Sequence, residues 1–498
     1  MSTVGYLELL RLAAPETILV LTVLIVLAID LLALRGLTRR FRLLIGAMFS
    51  CVGCAGAIAC MLVAPQHSDV LEGILVVNSL TQFTKAALLV LTIFTLLISV
   101  DTDFTPHVGE YFSLILLAAV GMMFLVSSED ILMIFISLEL TSLSLYILTA
   151  FGKRDVRSAE AALKYFLFGG MSAAFTLFGL SLLYGLSGAT NLGQIAAAIK
   201  GPKLDPLLAL AIVMTVVGFG FKVAAVPFHL WAPDAYRGAP APSAALIASG
   251  SKVAGFFIFA RVMMLGFKGA EGSGDWQAYV PGWVPVLCVL AGASMVLGNL
   301  AAIVQSSVRR LLAYSAIAHA GYMLLGVLPH GGQSLAALVY YVVTYAVATL
   351  GAFGVVSIVE GRAGDDGLSG FAGLSRRAPV LSFCMLIFML SLAGIPPLAG
   401  FFGKFYVFAT ALRANAGGLG LLWLVAVALA MSAVSLYYYL KLLKQIYVAE
   451  PKPDTWLRPT PIVSQVALVL LALAVVVLGC APNLLLGPLL SAIQAIGL

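Results

Sequence analysis

Long apolar runs separated by short polar connections organise this chain from end to end. A helix that crosses a bilayer needs about 20 mostly apolar residues. Fourteen segments meet that length: 15–34, 43–64, 79–100, 111–127, 131–150, 159–186, 206–233, 242–267, 284–304, 311–329, 333–359, 379–411, 419–440 and 462–486. The runs are continuous and do not alternate in ten-residue pieces, so they predict helices and not the strands of a membrane barrel. No connection is long enough to fold as a soluble domain. The pattern therefore predicts one all-α polytopic membrane domain over 1–498. The N-terminus lacks a basic leader region, and Glu16 stands at the mouth of the first run, so that run is expected to be a retained helix.

Two spans depart from the rest. The seventh contains GFGFKVAAVPFHLWAPDA, with Pro227 and Pro233, and the twelfth contains LAGIPPLAGFFGKFYVF, with Pro396 and Pro397. Each proline removes an intrahelical hydrogen bond. In lipid the freed carbonyls must be buried in protein or line a wet cavity. Spans four to eight and nine to thirteen form two runs of five. An odd number of crossings inverts the second run relative to the first. The interrupted spans are then fourth in each run, the arrangement of inverted-repeat transporters. The division predicted is three N-terminal helices in 1–105, a first repeat in 106–267, a second inverted repeat in 280–449 and a C-terminal helix in 455–498.

Composition narrows the class. Hydrophobic residues make up 62% of the 498, charged residues 10%, and mean hydropathy is +1.07. A soluble domain carries roughly 25% charge, so a soluble, disordered or disulfide-stapled chain is excluded. The net charge of +6 is not gathered into a stripe of the kind nucleic acid requires. Basic residues set orientation instead. Alternate loops hold 17 Lys and Arg on one side, from Arg35 to Arg458, and five on the other: Arg11, Lys200, Lys203, Lys268 and Arg413. The richer side is expected to be cytoplasmic, which puts both termini in the periplasm of a bacterial inner membrane. The acidic loop 101–110 falls on the cytoplasmic side, but acidic residues weigh little in this rule.

Redox and nucleotide signatures are absent from the sequence. Cys51 and Cys54 form a CxxC within an apolar helix, where small residues serve helix contacts. No four-cysteine set could hold an iron–sulfur cluster, and only His229 and His319 lie at membrane depth. Gly218-Phe-Gly220 does not open a helix after a strand, and no Walker A sequence occurs. The chain is expected to bind no cofactor and no metal of its own.

Six basic residues remain inside spans: Lys85, Lys164, Lys222, Lys252, Arg261 and Lys404, with Glu139 as the mid-span acid. A charge at the bilayer centre costs roughly 2.5–3.5 kcal/mol on the insertion scale. Lys222 lies 16 residues past Pro206, about 24 Å of helix, beyond easy snorkelling. Lys252, Glu139 and Lys404 are also near mid-depth. Lys164 is closer to its helix end and alone reads as a snorkelling lysine, but Glu139 one helix earlier is available as a partner. Lys85 and Arg261, near helix ends, read as structural. Burial disfavours a charged lysine and a nearby carboxylate favours it. A row of such groups, bridged by His229, His319 and water, can pass protons. Four lysines are a poor sodium site, so H⁺ is the expected ion.

The run VPFHLWAPDAYRGAPAPSAALIASGSKVAGF (226–256) resembles the antiporter-like subunits of respiratory complex I and of Mrp antiporters, as does SSVRRLLAYSAIAHAGYMLLG (306–326). The likeness covers nearly the whole chain. Tyr236 stands where subunit M and the antiporters carry histidine, Lys404 stands where subunit M carries glutamate, and the long lateral C-terminal helix of subunit L is missing. The chain thus resembles a branch distinct from both. The resemblance implies that Glu139 pairs with Lys164, that Lys222 is the central protonatable lysine, that Lys252 links two half-channels and that Lys404 leads to the exit. His229 and His319 become relay or supporting residues. It also implies other complex I membrane subunits as partners, with NADH, FMN, iron–sulfur clusters and quinone in those partners. The alternatives are a cation/proton antiporter of the Mrp type and a membrane anchor that moves no ion.

Overall fold

The computed structural model describes residues 10–63, 67–70, 72–199, 204–364, 366–413, 419–450 and 462–495. Of the charges counted above, Lys200, Lys203, Lys452 and Arg458 lie outside the described residues.

The helices follow the apolar runs closely. We number them by span: α1 (Ala14–Leu32), α2 (Arg39–Val63), α3 (Ser79–Ser99), α4 (Val108–Val126), α5 (Ile131–Thr149), α6 (Val156–Ser187), α7a (Pro206–Val223), α7b (Trp231–Gly238), α8 (Ala241–Gly266), α9 (Trp283–Ile303), α10 (Val308–Leu324), α11 (Gly332–Ala363), α12a (Pro379–Ala393), α12b (Ala399–Arg413), α13 (Leu422–Tyr447) and α14 (Ile462–Cys480). Twelve of these are long and apolar enough to cross a membrane. The other two predicted spans are α10, a helix of 17 residues with Arg309 and Arg310 in its first turn, and α12, which is split into two halves of 15 residues.

Local chemistry sets the ends. Asn78 and Thr81 form a reciprocal capping box at α3, and the Asp130, Asp155, Asp205 and Ser307 side chains accept the first free N–H groups of α5, α6, α7a and α10. Each satisfies a donor that the helix cannot pair internally. Pro206, at the first position of α7a, has no such donor to lose.

Between the helices lie features the apolar pattern did not reveal. Two small antiparallel hairpins pair His67–Val70 with Leu75–Asn78 and Ser273–Gly274 with Tyr279–Val280. Short helices occupy Leu192–Ala198, Leu374–Arg377 and Asn483–Ala495. Helix α8 is itself irregular. It bends at Ser249, three residues before Lys252, and its last turn, Val262–Gly266, widens to a π-turn.

The core runs along α8 and α11. Every residue in the apolar window of α8 is buried and 94% of that of α11, against 33% for α2, α6 and α13. The last three therefore form the rim. The two interruptions face this core: α12b packs on α11, and α7b packs between α6 and α10.

Candidate functional site

Helix α7a stops at Val223 because Ala224 turns left-handed (φ 56°), and Pro227, joined through a cis bond to Val226, cannot rejoin the ladder. Helix α12a stops at Ala393 before left-handed Gly394 (φ 86°), and a cis bond joins Pro396 to Pro397. Helix breaks leave carbonyls that must find donors. At both breaks a lysine donates to the carbonyl of the last helical residue.

Lys252 Nζ donates to Val223 O at 3.0 Å, the last residue of α7a, and to Ala316 O on α10 at 2.8 Å. Lys404 Nζ donates to Ala393 O at 3.0 Å, the last residue of α12a, and to Ser432 Oγ on α13 at 2.9 Å. Lys404 also stands 5.0 Å above the Tyr322 ring, a cation–π contact. Lys222, one residue before the first break, donates to Ser142 Oγ on α5 at 3.1 Å. Glu139 lies one turn before Ser142, on the same face of α5, close enough for its charge to act on Lys222. All three lysines are at most 5% exposed. Gly255 leaves the space for the stem of Lys222, since a Cβ there would sit 3.3 Å from Lys222 Cγ.

On α10, His319 stands three residues from Ala316, which accepts from Lys252, and three residues from Tyr322, whose ring faces Lys404. Its Nδ1 shares a hydrogen bond with Tyr341 OH at 2.7 Å and its Nε2 shares one with Tyr439 OH at 3.1 Å. Tyr439 OH continues to Ser315 Oγ at 2.5 Å. Tyr322, below Lys404, accepts from Asn299 Nδ2 at 2.9 Å, and Tyr438 OH donates to Asn299 Oδ1 at 3.0 Å. The buried row thus runs from Glu139 through Lys222, Lys252 and His319 to Lys404.

Two predicted members stand apart. His229 is buried inside the first break, but none of the described hydrogen bonds joins it to a lysine. The ion pair implied between Glu139 and Lys164 is not formed among the described residues. Lys164 Nζ is bound instead by Glu160 at 2.6 Å and by Asp234 of α7b at 2.9 Å. The reason is geometric. Helical side chains lean toward their own N-terminus, so Lys164 leans back over Glu160. Antiparallel α5 carries Glu139 the opposite way.

Lys85, expected to be structural and near a helix end, is fully buried, with Nζ 2.6 Å from Glu16 on α1. Arg261 is also buried. It pairs with Glu129 and donates to Val126 O at 3.2 Å, tying α8 to the α4–α5 connection. The sequence reading passed over Ser142, Ser432, Tyr341 and Tyr439. The signals available for them were the i+3 spacing from Glu139 to Ser142 and the tyrosine clusters inside two apolar spans.

Comparison with known proteins agrees with this architecture. Residues 128–432 match the membrane-spanning family described as NADH:quinone oxidoreductase/Mrp antiporter. NADH-quinone oxidoreductase subunit N 2 of Acidobacterium capsulatum is 52% identical over 98% of this chain and 99% of its own length. Subunit N of Nitrosomonas europaea is 36% identical over 97% of both. Among solved structures, a chain of respiratory complex I from Thermus thermophilus is 35% identical, with a TM-score of 0.78 over 95% of this chain and 98% of that one. A chain of the Mrp complex from Dietzia shares the fold alone, with a TM-score of 0.81 at 21% identity over 97% of both.

Proposed function

The chain belongs to the NADH:quinone oxidoreductase/Mrp antiporter family, in its subunit N branch, and from that premise we propose that it is a proton-translocating membrane subunit of NADH:quinone oxidoreductase. It moves H⁺ from cytoplasm to periplasm through the buried row, with both of its termini in the periplasm. Its partners are the other membrane subunits of the complex. NADH oxidation and quinone reduction occur in partner subunits that hold FMN and iron–sulfur clusters. The two inverted units are residues 106–267 and 280–449, flanked by the three helices of 1–105 and the helix of 455–498.

The observation that carries this reading is the occupation of both helix breaks by lysines, with His319 three residues from a contact of each. Each Nζ donates to a neutral acceptor, a carbonyl or a hydroxyl, so no fixed counter-ion holds its proton. Glu139 supplies the negative charge that draws a proton onto Lys222. Lys252 carries it across the junction, because its two acceptors belong to different five-helix runs. His319 can both donate and accept through its two ring nitrogens. Charges on Lys252 and Lys404 repel one on His319, so a proton advances when the site ahead has emptied. Lys404 passes it toward the exit, with water bridging the gaps. Lys164, held by two carboxylates nearer the basic face, stands at the entrance. His229, inside the first break, serves as a supporting group.

An Mrp-type antiporter reading rests on the same row, but its solved representative shares only the fold at 21% identity, whereas a subunit N relative is 52% identical over nearly the whole chain.

The test is Lys222→Met in the complete complex, reconstituted in vesicles, with protons moved per NADH oxidised as the readout. The ratio is expected to fall sharply. An unchanged ratio in a fully assembled complex would overturn the role of Lys222.

A further inference from the structure

The two sequence runs that carry the family resemblance are clasped together in the fold. Helix α7b, of eight residues, is cut off from α7a by residues 224–230, so the α7a ladder does not fix its position. The stacking of Trp231 on Tyr165 and polar contacts on two sides do. Asp234 Oδ2 accepts from Lys164 Nζ of α6 at 2.9 Å, while Asp234 Oδ1 lies 3.7 Å from Arg310 Nη1 of α10. Arg309 Nη1 donates to Arg237 O at 2.8 Å and Ala239 O at 2.6 Å, carbonyls at the end of α7b, and its Nη2 pairs with Glu360 of α11. Arg237 Nε lies 3.6 Å from Asp366, which also accepts from Ser307.

Asp234 is the carboxylate in this cluster that faces cations from both five-helix runs. The same short helix carries Trp231, whose Nε1 donates at 3.0 Å to Phe221 O, the residue before Lys222. Helix α10, on the other side of the clasp, carries Ala316, an acceptor of Lys252, and His319. A shift of Asp234 between its two cations therefore reaches both ends of the Lys222–Lys252 segment.

We propose that Asp234 is a positioning residue that couples the placement of the Lys164 ammonium to the geometry of Lys222 and Lys252. This rests on the relay reading above. With the Lys164 ammonium bridging Glu160 and Asp234, the Asp234 carboxylate is divided between Lys164 and Arg310. With that ammonium drawn onto Glu160 alone, Asp234 closes on Arg310, carrying α7b toward α10. The clasp thus ties the placement of the entrance lysine to the alignment of the central lysines. Arg309, Arg237, Glu360 and Asp366 anchor the remainder of α7b throughout.

The experiment uses the assembled complex in vesicles and measures protons per NADH across a pH series, together with the NADH oxidation rate. The variants are Asp234→Asn, Asp234→Glu, Lys164→Met and the pair Asp234→Asn/Lys164→Met. Asp234→Asn should lower the proton ratio about fivefold, the factor that corresponds to about 1 kcal/mol. Asp234→Glu should restore most of it, and the double variant should match Lys164→Met alone. Wild-type coupling in Asp234→Asn would overturn the proposal, as would losses that simply multiply in the double variant. If Asp234→Asn does not assemble, Arg310→Gln leaves Asp234 and Lys164 in place and is read in the same cycle. Lys222→Met in parallel separates the two ideas. If it leaves pumping intact, the relay itself fails. If it abolishes pumping while Asp234→Asn does not, only the coupling fails.

Discussion

In α7 the helix stops at Val223 and resumes at Trp231, and in α12 it stops at Ala393 and resumes at Ala399. The freed carbonyl of the last helical residue takes a lysine N–H in both. The lysines come from different places. At the first break Lys252 reaches in from the next span, and the break's own Lys222 is left to bind Ser142 near Glu139. At the second break Lys404, from the resumed half of the same span, does both tasks at once, filling Ala393 O and facing Ser432 and Tyr322. The first break therefore divides carbonyl capping and proton carriage between two side chains, and the second combines them. The first also has a carboxylate beside its lysine, whereas the second has an aromatic face and hydroxyls.

The strongest way to break this comparison is to remove the lysines one at a time. Lys222→Met and Lys404→Met should each slow proton delivery by roughly 10²–10⁴-fold, the contribution of a positioned acid or base. Lys404→Met should also lower the stability of the assembled complex more than Lys222→Met does, by about 1–3 kcal/mol, because it orphans a buried carbonyl. Thermal unfolding of the purified variants reads the difference. Equal stabilities would show that Ala393 O does not depend on Lys404.

Next in size is a buried charge away from either break. Glu16→Gln leaves Lys85 unpaired and should cost about 3–5 kcal/mol of stability, while protons per NADH in the complex that survives stay at the wild-type value. A fall in that ratio would extend the row into the N-terminal helices. Smaller again are the hydroxyls. Ser142→Ala and Ser432→Ala each remove a partner of a lysine, worth about 1.5–3 kcal/mol for a charged donor. Ser142→Ala should do less harm to turnover, because Glu139 still stands beside Lys222. The smallest effects concern the left-handed caps. Gly394→Ala should cost about 1–2 kcal/mol from its positive φ and also press on the Lys404 stem, 3.1 Å from the added Cβ. Ala224→Gly, at the matching position, relieves its strain but loosens the unfolded chain by about 0.4–1 kcal/mol, so its melting temperature should barely move.

Much of this was legible in the sequence. The spans and the two interruptions follow from the apolar runs and their prolines, and the same counts single out Lys222, Lys252 and Lys404 as charges within spans. Partner choice did not. Helices such as α5 and α12a have no distinct apolar stripe, so nothing marks which face meets which neighbour. Lys164 and Glu139 look adjacent by depth, yet lean in opposite directions and take different partners. Glu16 and Lys85 lie far apart in sequence, near the starts of two spans that begin on the same face, and only packing brings them to 2.6 Å. Tyr341 and Tyr439 were unremarked because a tyrosine in a span is ordinary until its hydroxyl meets a buried imidazole.

The sequence by itself determined where the apolar runs lie and which charges fall inside them. The thickness of the hydrocarbon layer turns residue counts into depths, and the cost of a buried charge singles out the exceptions. Only the tertiary structure decided which carbonyl each lysine takes and which carboxylate each cation shares. Those choices depend on the rotation of each helix about its axis and on the path of the chain through the breaks, and apolar packing in lipid leaves neither readable from spacing.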